Sequence, residues 1–335
     1  MIGVSSSRKS SDWVAEKVKP LIDSEDVCAI SNVHYPGHPW SIVKLILLGG
    51  WVYVYTTIIP KHFTDYRYID LLAGSGTTYI KETKDVVIGS PFVALAFAQS
   101  PFKSYVFIEK NSKRCKALNE RVSSIKRLEG KYEILEGNCN ERIKSVFTEE
   151  KAHSLVFIDN EGFDVYWNSI EVILRAKTDI LINFPTAMVP RTTDDRTSSS
   201  LDRFYGDRTW LKGQDREDFL QIYMQKLKNR FRVLRGSEAY TSNIRVGTGS
   251  YFYDIILICK MGPFVKAWNY LKKKWDWQDP RIIQNTLDIL MNRATSMDSF
   301  CDDLKKEVSS MKQKPQKRKV EQTLEKYIQG KPASD

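Results

Sequence analysis

Tyr68-Ile69-Asp70-Leu71-Leu72-Ala73-Gly74-Ser75-Gly76-Thr77-Thr78 is the stretch that decides the fold. A short apolar strand, read over 66–72, reaches an acidic residue and then a glycine-rich turn. Doubly wound α/β domains open a nucleotide-type site in this way. The glycines let the backbone turn sharply and approach a ligand that a Cβ would block. The dinucleotide pattern G-x-G-x-x-G is incomplete, because Tyr79 holds its third glycine position. No Gly-Lys-Ser/Thr follows, so the lysine of a P-loop is missing too. Both features argue against a dehydrogenase and against a phosphate cradle.

Working outward, apolar strands and helices alternate. After a helix over 11–21 and a loop at Tyr35-Pro36-Gly37-His38-Pro39, a long apolar helix covers 40–59. Gly89-Ser90-Pro91 opens a helix over 92–98, with Pro in its first turn. Strands follow at 105–108, 132–135, 155–158 and 180–184, with helices over 111–128 and 167–177 between them. This order predicts a mostly parallel sheet covered on both faces. Each strand ends on a polar residue: Asp70, Glu109, Asn138, Asp159 and Asn183. Ligands of open α/β sheets bind at that edge. The Arg-, Thr- and Ser-rich stretch 190–213 reads as a long loop or inserted subdomain, followed by a helix over 215–230. Strands at 240–246 and 251–259, joined at Gly247-Thr248-Gly249, form an antiparallel edge. Helices over 264–274 and 279–290 and a polar, basic tail complete the chain. The expected division is an N-terminal helical extension (1–65), the α/β domain (66–262, with the insertion at about 190–213), C-terminal helices (263–310) and a flexible tail (311–335).

Asp-x-x-Ala-Gly-x-Gly resembles motif I of S-adenosylmethionine (SAM) methyltransferases. The resemblance implies a Rossmann-like class I methyltransferase fold with SAM as cofactor. Asp70, Ala73, Gly74 and Gly76 would then line the methionine end. Glu109 would accept hydrogen bonds from the ribose hydroxyls, or else simply begin a helix as a surface carboxylate. Asn138 or Asn140 would meet the adenine amino group, or cap the next helix. Asp159-Asn160-Glu161-Gly162-Phe163 stands where amino-methyltransferases carry Asp/Asn-Pro-Pro-Tyr/Phe. There the polar group accepts from the target amine and the aromatic stacks on the base. Both prolines are replaced here, by Asn160 and Glu161. Asp159 and Phe163 are the candidates to hold the acceptor, and Glu161 the candidate base or orienting group.

The chain further resembles the three-Cys-motif partner (TcmP) family of methyltransferase-like proteins of archaea and bacteria. The likeness is carried by the glycine stretch, Gly89-Ser90-Pro91, Ile108-Glu109-Lys110, Gly137-Asn138-Cys139-Asn140, Phe157-Ile158-Asp159, Asn183-Phe184-Pro185 and Phe204-Tyr205-Gly206 with Trp210. It spans roughly 11–262. That family usually shows Asp-Pro-x-Gly where this chain has Asp159-Asn160-Glu161-Gly162. A more distant likeness, to adenine-N6 methyltransferases, rests on the same strand ends.

The 335 residues carry a net charge of +10, which favours a polyanionic partner such as nucleic acid, DNA or RNA. Lys226, Lys228, Arg230 and Arg232 form one basic cluster. Lys272, Lys273 and Lys274, flanked by Trp268, Tyr270, Trp275 and Trp277, form another. Interleaved bases and aromatics suit phosphate contact with base stacking, and they suit an amphipathic helix with Trp on its inner face equally well. Five scattered cysteines without a CxxC pair imply reduced thiols and no zinc site. With no signal-peptide core, the expected location is cytoplasmic and off the membrane. In the tail, Glu321, Leu324, Tyr327 and Ile328 resemble a sliding-clamp-binding peptide. Two functions follow: methyl transfer to nucleic acid, or a non-catalytic nucleic-acid module of a repair or replication assembly.

Overall fold

The computed structural model describes residues 21, 25–148, 152–188, 195–248 and 251–290. The helix expected over 11–21 lies almost wholly outside them, and the tail with its clamp-like peptide lies outside entirely. After α1 (Glu25–Ala29) come β1 (Tyr35–Gly37) and the twenty-residue α2 (Pro39–Ile58). Pro39 starts α2 where no N–H is needed, and Ser41 Oγ accepts the His38 N–H at 3.4 Å. Then follow β2 (Tyr66–Asp70), β3 (Thr77–Ile80), β4 (Val86–Ile88), α3 (Ser90–Ala96), β5 (Ser104–Glu109), α4 (Ser112–Ser123), β6 (Tyr132–Glu136) and α5 (Cys139–Val146). The chain continues through β7 (His153–Asp159), α6 (Trp167–Arg175), β8 (Thr178–Phe184), α7 (Asp195–Tyr205), α8 (Arg216–Arg235), β9 (Ala239–Thr248), β10 (Tyr251–Lys260), α9 (Pro263–Lys274) and α10 (Arg281–Leu290).

Seven strands form the main sheet in the order β6-β5-β2-β7-β8-β10-β9. The first five are parallel, and β10 inserts antiparallel between β8 and β9. This order, with its reversed strand near the edge, is the Rossmann-like class I methyltransferase fold. Strand residues alternate between two cores. Tyr68, Phe107, Phe157 and Leu257 face a core shared with α2, α3, α4 and α9. Ile69, Val106, Ile158 and Ile256 face one shared with α5, α6, α7 and α8. Both faces are covered, which is why the strands read as unbroken apolar runs.

The long apolar helix is part of the first core. Together with the following turn, α2 has the length and mean hydropathy (1.8) of a membrane span, yet Ile42, Val43, Leu47, Trp51 and Tyr55 are fully buried within this domain. Trp51 meets Trp268 edge-on at 5.2 Å.

Three local readings change. The loop expected at Tyr35-Pro36-Gly37 is β1, which pairs with β3 in a small three-stranded sheet β1-β3-β4. The glycine turn therefore feeds a strand, and the next helix, α3, begins only at Ser90. Gly89 N–H returns to Gly76 O at 2.7 Å, closing this excursion. Within the stretch read as an insertion, the described residues form α7 and a 3-10 turn at Thr209–Lys212. Buried Arg121 fixes β1 over the glycine turn. It donates to Ser75 O at 2.8 Å and to Val33 O at 3.0 Å.

Candidate active site

All five polar strand ends reach the carboxyl edge of the sheet, but they do different work there. Asp70 is fully buried. It accepts from Tyr68 Oη at 3.2 Å and Leu72 N at 3.3 Å. Burial first, and the Asp159 charge after it, push its carboxyl up to about 7, against the hydrogen bond from Ser90. It underlies the glycine turn and does not line the cleft above it. The two glycines differ as well. Gly74 has φ +62°, and a Cβ there would touch the Tyr35 ring at 3.4 Å, on the cleft wall. Gly76 has φ +80°, but its missing Cβ points at Phe92 (2.5 Å) and Leu118 (2.8 Å). Gly76 serves close packing of α3 and α4 against the turn, and Ala73 and Gly74 present the backbone to the cleft.

The main cleft, about 230 Å³, is lined by Ala73, Gly74, Glu109, Asp159 and Glu161 together with Lys44 of α2. Glu109 is nearly buried, and its Oε1 accepts the Asn111 N–H at 2.7 Å. A second hollow of about 280 Å³ adjoins it, sharing Leu72, Lys110 and Asp164. Asn138 lines this hollow while its Oδ1 caps α5 through Asn140 N at 3.0 Å. Asn140 is turned inward. It donates to Asp164 O and accepts from Tyr166 N and Ser169 Oγ, each at 2.8 Å, tying α5 to the start of α6.

The loop after β7 is held rigidly without prolines. Asn160 is buried. Its Nδ2 donates to Asn183 O at 3.2 Å, and its Oδ1 accepts Val165 N at 3.2 Å. Asp164 Oδ2 accepts the N–H groups of Glu161 and Gly162, each at 3.1 Å. Asp159 meets two partners. Lys44 Nζ lies 2.7 Å from its Oδ1 and 2.6 Å from its Oδ2, and Asn183 Nδ2 donates to Oδ1 at 2.9 Å. Desolvation pulls the Lys44 ammonium down, but Asp159, Tyr253 and Asp70 outweigh it and hold the pKa above the ordinary value. Lys44 is thus a cation here, 5.3 Å over the Tyr253 ring, and not a base. Glu161 is solvent-reached as a residue. Surrounding protein at its carboxyl end, then the like charge of Asp164, raise its pKa. Phe163 packs edge-on against Phe204 at 5.2 Å and lines the second hollow. The Oδ1 of Asn183 is buried without a hydrogen-bond partner among the described residues.

Lys44, Asn183 and Asp164 carry the site alongside the residues chosen from motifs. Lys44 had a visible signal: a lone charge in the apolar run 42–59 that must find a buried partner. That this partner is Asp159, 115 residues away, is written in no local pattern.

The basic clusters separate. On α8, Lys226 pairs with Asp207, and Arg230 Nε sits 2.8 Å from Glu171 in charge contact without hydrogen-bond alignment. Lys228 and Arg232 are exposed. Arg235, next along, donates to Leu174 O, Thr178 O and Thr178 Oγ1. Lys272, Lys273 and Lys274 are exposed in the last turn of α9. Of the flanking aromatics, Trp268 and Trp277 are core and Tyr270 is exposed.

No protein-family model matches the chain, and no curated protein matches it. Among solved structures it is similar to the O-methyltransferase TomG from Streptomyces achromogenes in complex with SAM (14% identity, 64% of this chain and 79% of that one, TM-score 0.38). It is similar to a protein from Legionella pneumophila (10% identity, 73% and 94%, TM-score 0.45) and to Trm1 from Pyrococcus horikoshii with S-adenosyl-L-methionine (12% identity, 78% and 60%, TM-score 0.42). At these identities and scores, the fold is assigned from the strand order of this chain.

Proposed function

We propose that this chain is a SAM-dependent methyltransferase acting on nucleic acid, with an exocyclic base amine as acceptor. One observation carries the reading: Gly74, Glu109 and Asp159, from three adjacent strand ends, line a single cleft that continues into a hollow at Asn138. The residues fit the cofactor. Gly74 leaves open the space a Cβ would fill, Glu109 faces the cleft as an acceptor for a diol, and Asn138 lies at the far end for a base. When bound, SAM supplies a methyl group activated by a sulfonium. The protein's part is to orient the acceptor and keep water away. Asp159 is ion-paired with Lys44, and Asn183 fixes its rotamer. Glu161, with its raised pKa, takes up a proton nearer neutral pH than an ordinary glutamate.

The likeness to the TcmP family is part of the same proposal, as is a clamp-binding tail. Titration calorimetry with SAM tests the cofactor. Micromolar binding that disappears in Glu109→Ala supports it, and no binding at millimolar SAM overturns it. The ion pair on Asp159 favours a second reading. Lys44 occupies both carboxylate oxygens, as expected if the chain binds nucleic acid without methylating it. SAM binding without transfer of labelled methyl to any RNA or DNA would select that reading.

A further inference from the structure

Cations lie on aromatic rings at both edges of the sheet. At the carboxyl edge Lys226 (over Trp167) and Arg245 (over Phe252, 4.8 Å) do so while ion-paired with Asp207 and with Asp254 and Glu217, and three further arginines stand apart from them. At the carboxyl edge, Arg114 sits over Tyr35 (4.4 Å to the ring centroid), Arg203 over Tyr166 (5.0 Å) and Arg216 over Phe252 (5.6 Å). The first pair borders the main cleft and the second borders the adjoining hollow. Phe252 lies just beyond Asp254, which pairs with Phe184 at the end of β8. Exposed Lys110 lines both cavities between them. Among the described residues, no carboxylate pairs with Arg114, Arg203 or Arg216. At the amino edge, Arg67 over Phe147 and Arg235 over Phe231 spend their N–H groups on backbone carbonyls and hydroxyls; at the carboxyl edge Arg203 gives its Nε–H to Ser199 O at 3.3 Å.

We propose that the three carboxyl-edge arginines, with Lys110, form a track for a single-stranded polynucleotide across the mouth of the cleft. The proposal rests on the nucleic-acid reading above and relocates its footprint. A guanidinium lying over a ring keeps N–H groups for phosphate and is itself a stacking partner for a base. With no carboxylate to neutralise it, its charge is available to the backbone. The α8 cluster is poorly placed for this work. That helix starts with Arg216 at the carboxyl edge, runs about 30 Å, and ends with Arg235 bonded to Thr178, the first residue of β8. Lys228 and Arg232 therefore lie toward the edge away from Asp159. Lys272 and Lys273, in the last turn of α9, lie at the near edge, because Trp277 O, just beyond that turn, accepts the Gly247 N–H near the end of β9. A base must leave its stack to reach Asp159 inside the cleft, so a single strand is the fitting occupant.

The test is fluorescence anisotropy with labelled RNA and DNA oligonucleotides of about 16 nucleotides, over a salt series. Arg114→Gln/Arg203→Gln/Arg216→Gln should weaken binding tenfold or more at about 0.15 M salt, and should cut the slope of log K against log salt by about 2, near 0.7 per lost contact. Lys228→Gln/Arg232→Gln should leave both nearly unchanged. Equal losses in the two variants, no loss in the triple variant, no strand binding by the native chain, or equal affinity for duplex would each overturn the track. SAM calorimetry on the same preparations separates the two ideas. A native chain that binds strand but not SAM sinks the cofactor reading and leaves the track standing, and a circular-dichroism melt matching the native one shows that the triple variant has folded.

Discussion

The two edges of the seven-stranded sheet spend their polar groups differently. At the amino edge, Arg235 and Arg67 are used up on carbonyls and hydroxyls. His153 Nδ1 lies 2.8 Å from Tyr55 Oη in the core. Burial, then the charges of Arg235 and Lys177, push that histidine down to about 3, so it stays neutral. At the carboxyl edge, charged groups meet one another across a cleft: Lys44 with Asp159, Glu161 beside Asp164, Glu109 open on one side. Polar groups that close onto backbone hold a fold together. Polar groups that close onto each other leave something for a ligand to complete. The difference marks one edge as scaffold and the other as site, and it is open to experiment.

Lys44→Met breaks the comparison most severely. Removing one partner of a fully buried pair costs about 3–5 kcal/mol. Here it strands the half-buried Asp159 carboxylate (19% exposed, on the cleft), which should cost less, about 2 kcal/mol. Urea denaturation should show a loss of that order. Lys44→Met/Asp159→Leu should recover most of it, because a matched apolar pair no longer desolvates a lone charge. Failure of the double variant to recover would mean that Lys44 stabilises the fold through its methylenes and not through Asp159. At the amino edge, Arg235→Met should also destabilise, but with SAM affinity unchanged.

Asp159→Asn sharpens the distinction at the level of chemistry. The amide is isosteric and keeps the loop, so SAM affinity should stay within a few-fold. Methyl transfer should fall by about a hundredfold or more, the scale of losing an acceptor-orienting or proton-accepting group. Native turnover in this variant would move the acceptor role to Glu161.

A matched pair of aspartates tests both edges through pH. Asp70 at the carboxyl edge and Asp179 at the amino edge are both buried, and both carboxyls are pushed from 3.8 up to about 7, chiefly by desolvation. Between those values the folded chain keeps protons that the unfolded chain has released. Stability therefore falls as pH rises through that window and levels off above it, by up to about 1.4 kcal/mol per pH unit for each group. Asp70→Asn and Asp179→Asn should each remove one share of the slope in urea denaturation at several pH values. Only Asp70 should couple to the cofactor. A bound sulfonium favours its ionised form, so SAM affinity should weaken below about pH 7 in the native chain and in Asp179→Asn, but not in Asp70→Asn. An identical pH dependence in all three would uncouple Asp70 from the site.

How far the sequence announces this arrangement follows from range. Strand ends are local events. An apolar run, a polar residue and a turn lie within ten residues, so the parallel sheet, its antiparallel edge and the cleft residues Glu109 and Asp159 were legible. Asn138 and Asn140 illustrate the limit: both fit a helix cap and both fit a base contact, and only the approach of Asp164 and Tyr166 shows Asn140 facing inward. β1 reads as a loop because its three residues pair with β3, forty-three residues on, in a sheet too small to impose a pattern. The α8 cluster looked uniformly basic because Asp207 and Glu171, which neutralise half of it, come from other elements. Lys44 was visible as an anomaly, and its meaning lay in a contact no local rule contains.

The smallest effect separates the two glycines of the opening motif. Both have positive φ, so an alanine at either position carries a strain of about 1–2 kcal/mol. At Gly76 the added methyl also collides with Phe92 and Leu118 inside the core, and the fold should lose further stability. At Gly74 it meets only the Tyr35 ring at ordinary contact distance. Gly74→Ala should therefore fold with a stability loss near the strain alone, while SAM affinity drops several-fold because the methyl stands on the cleft wall. If Gly74→Ala binds SAM as the native chain does, the turn is scaffold on both glycines, and the cofactor contacts of this edge begin at Glu109.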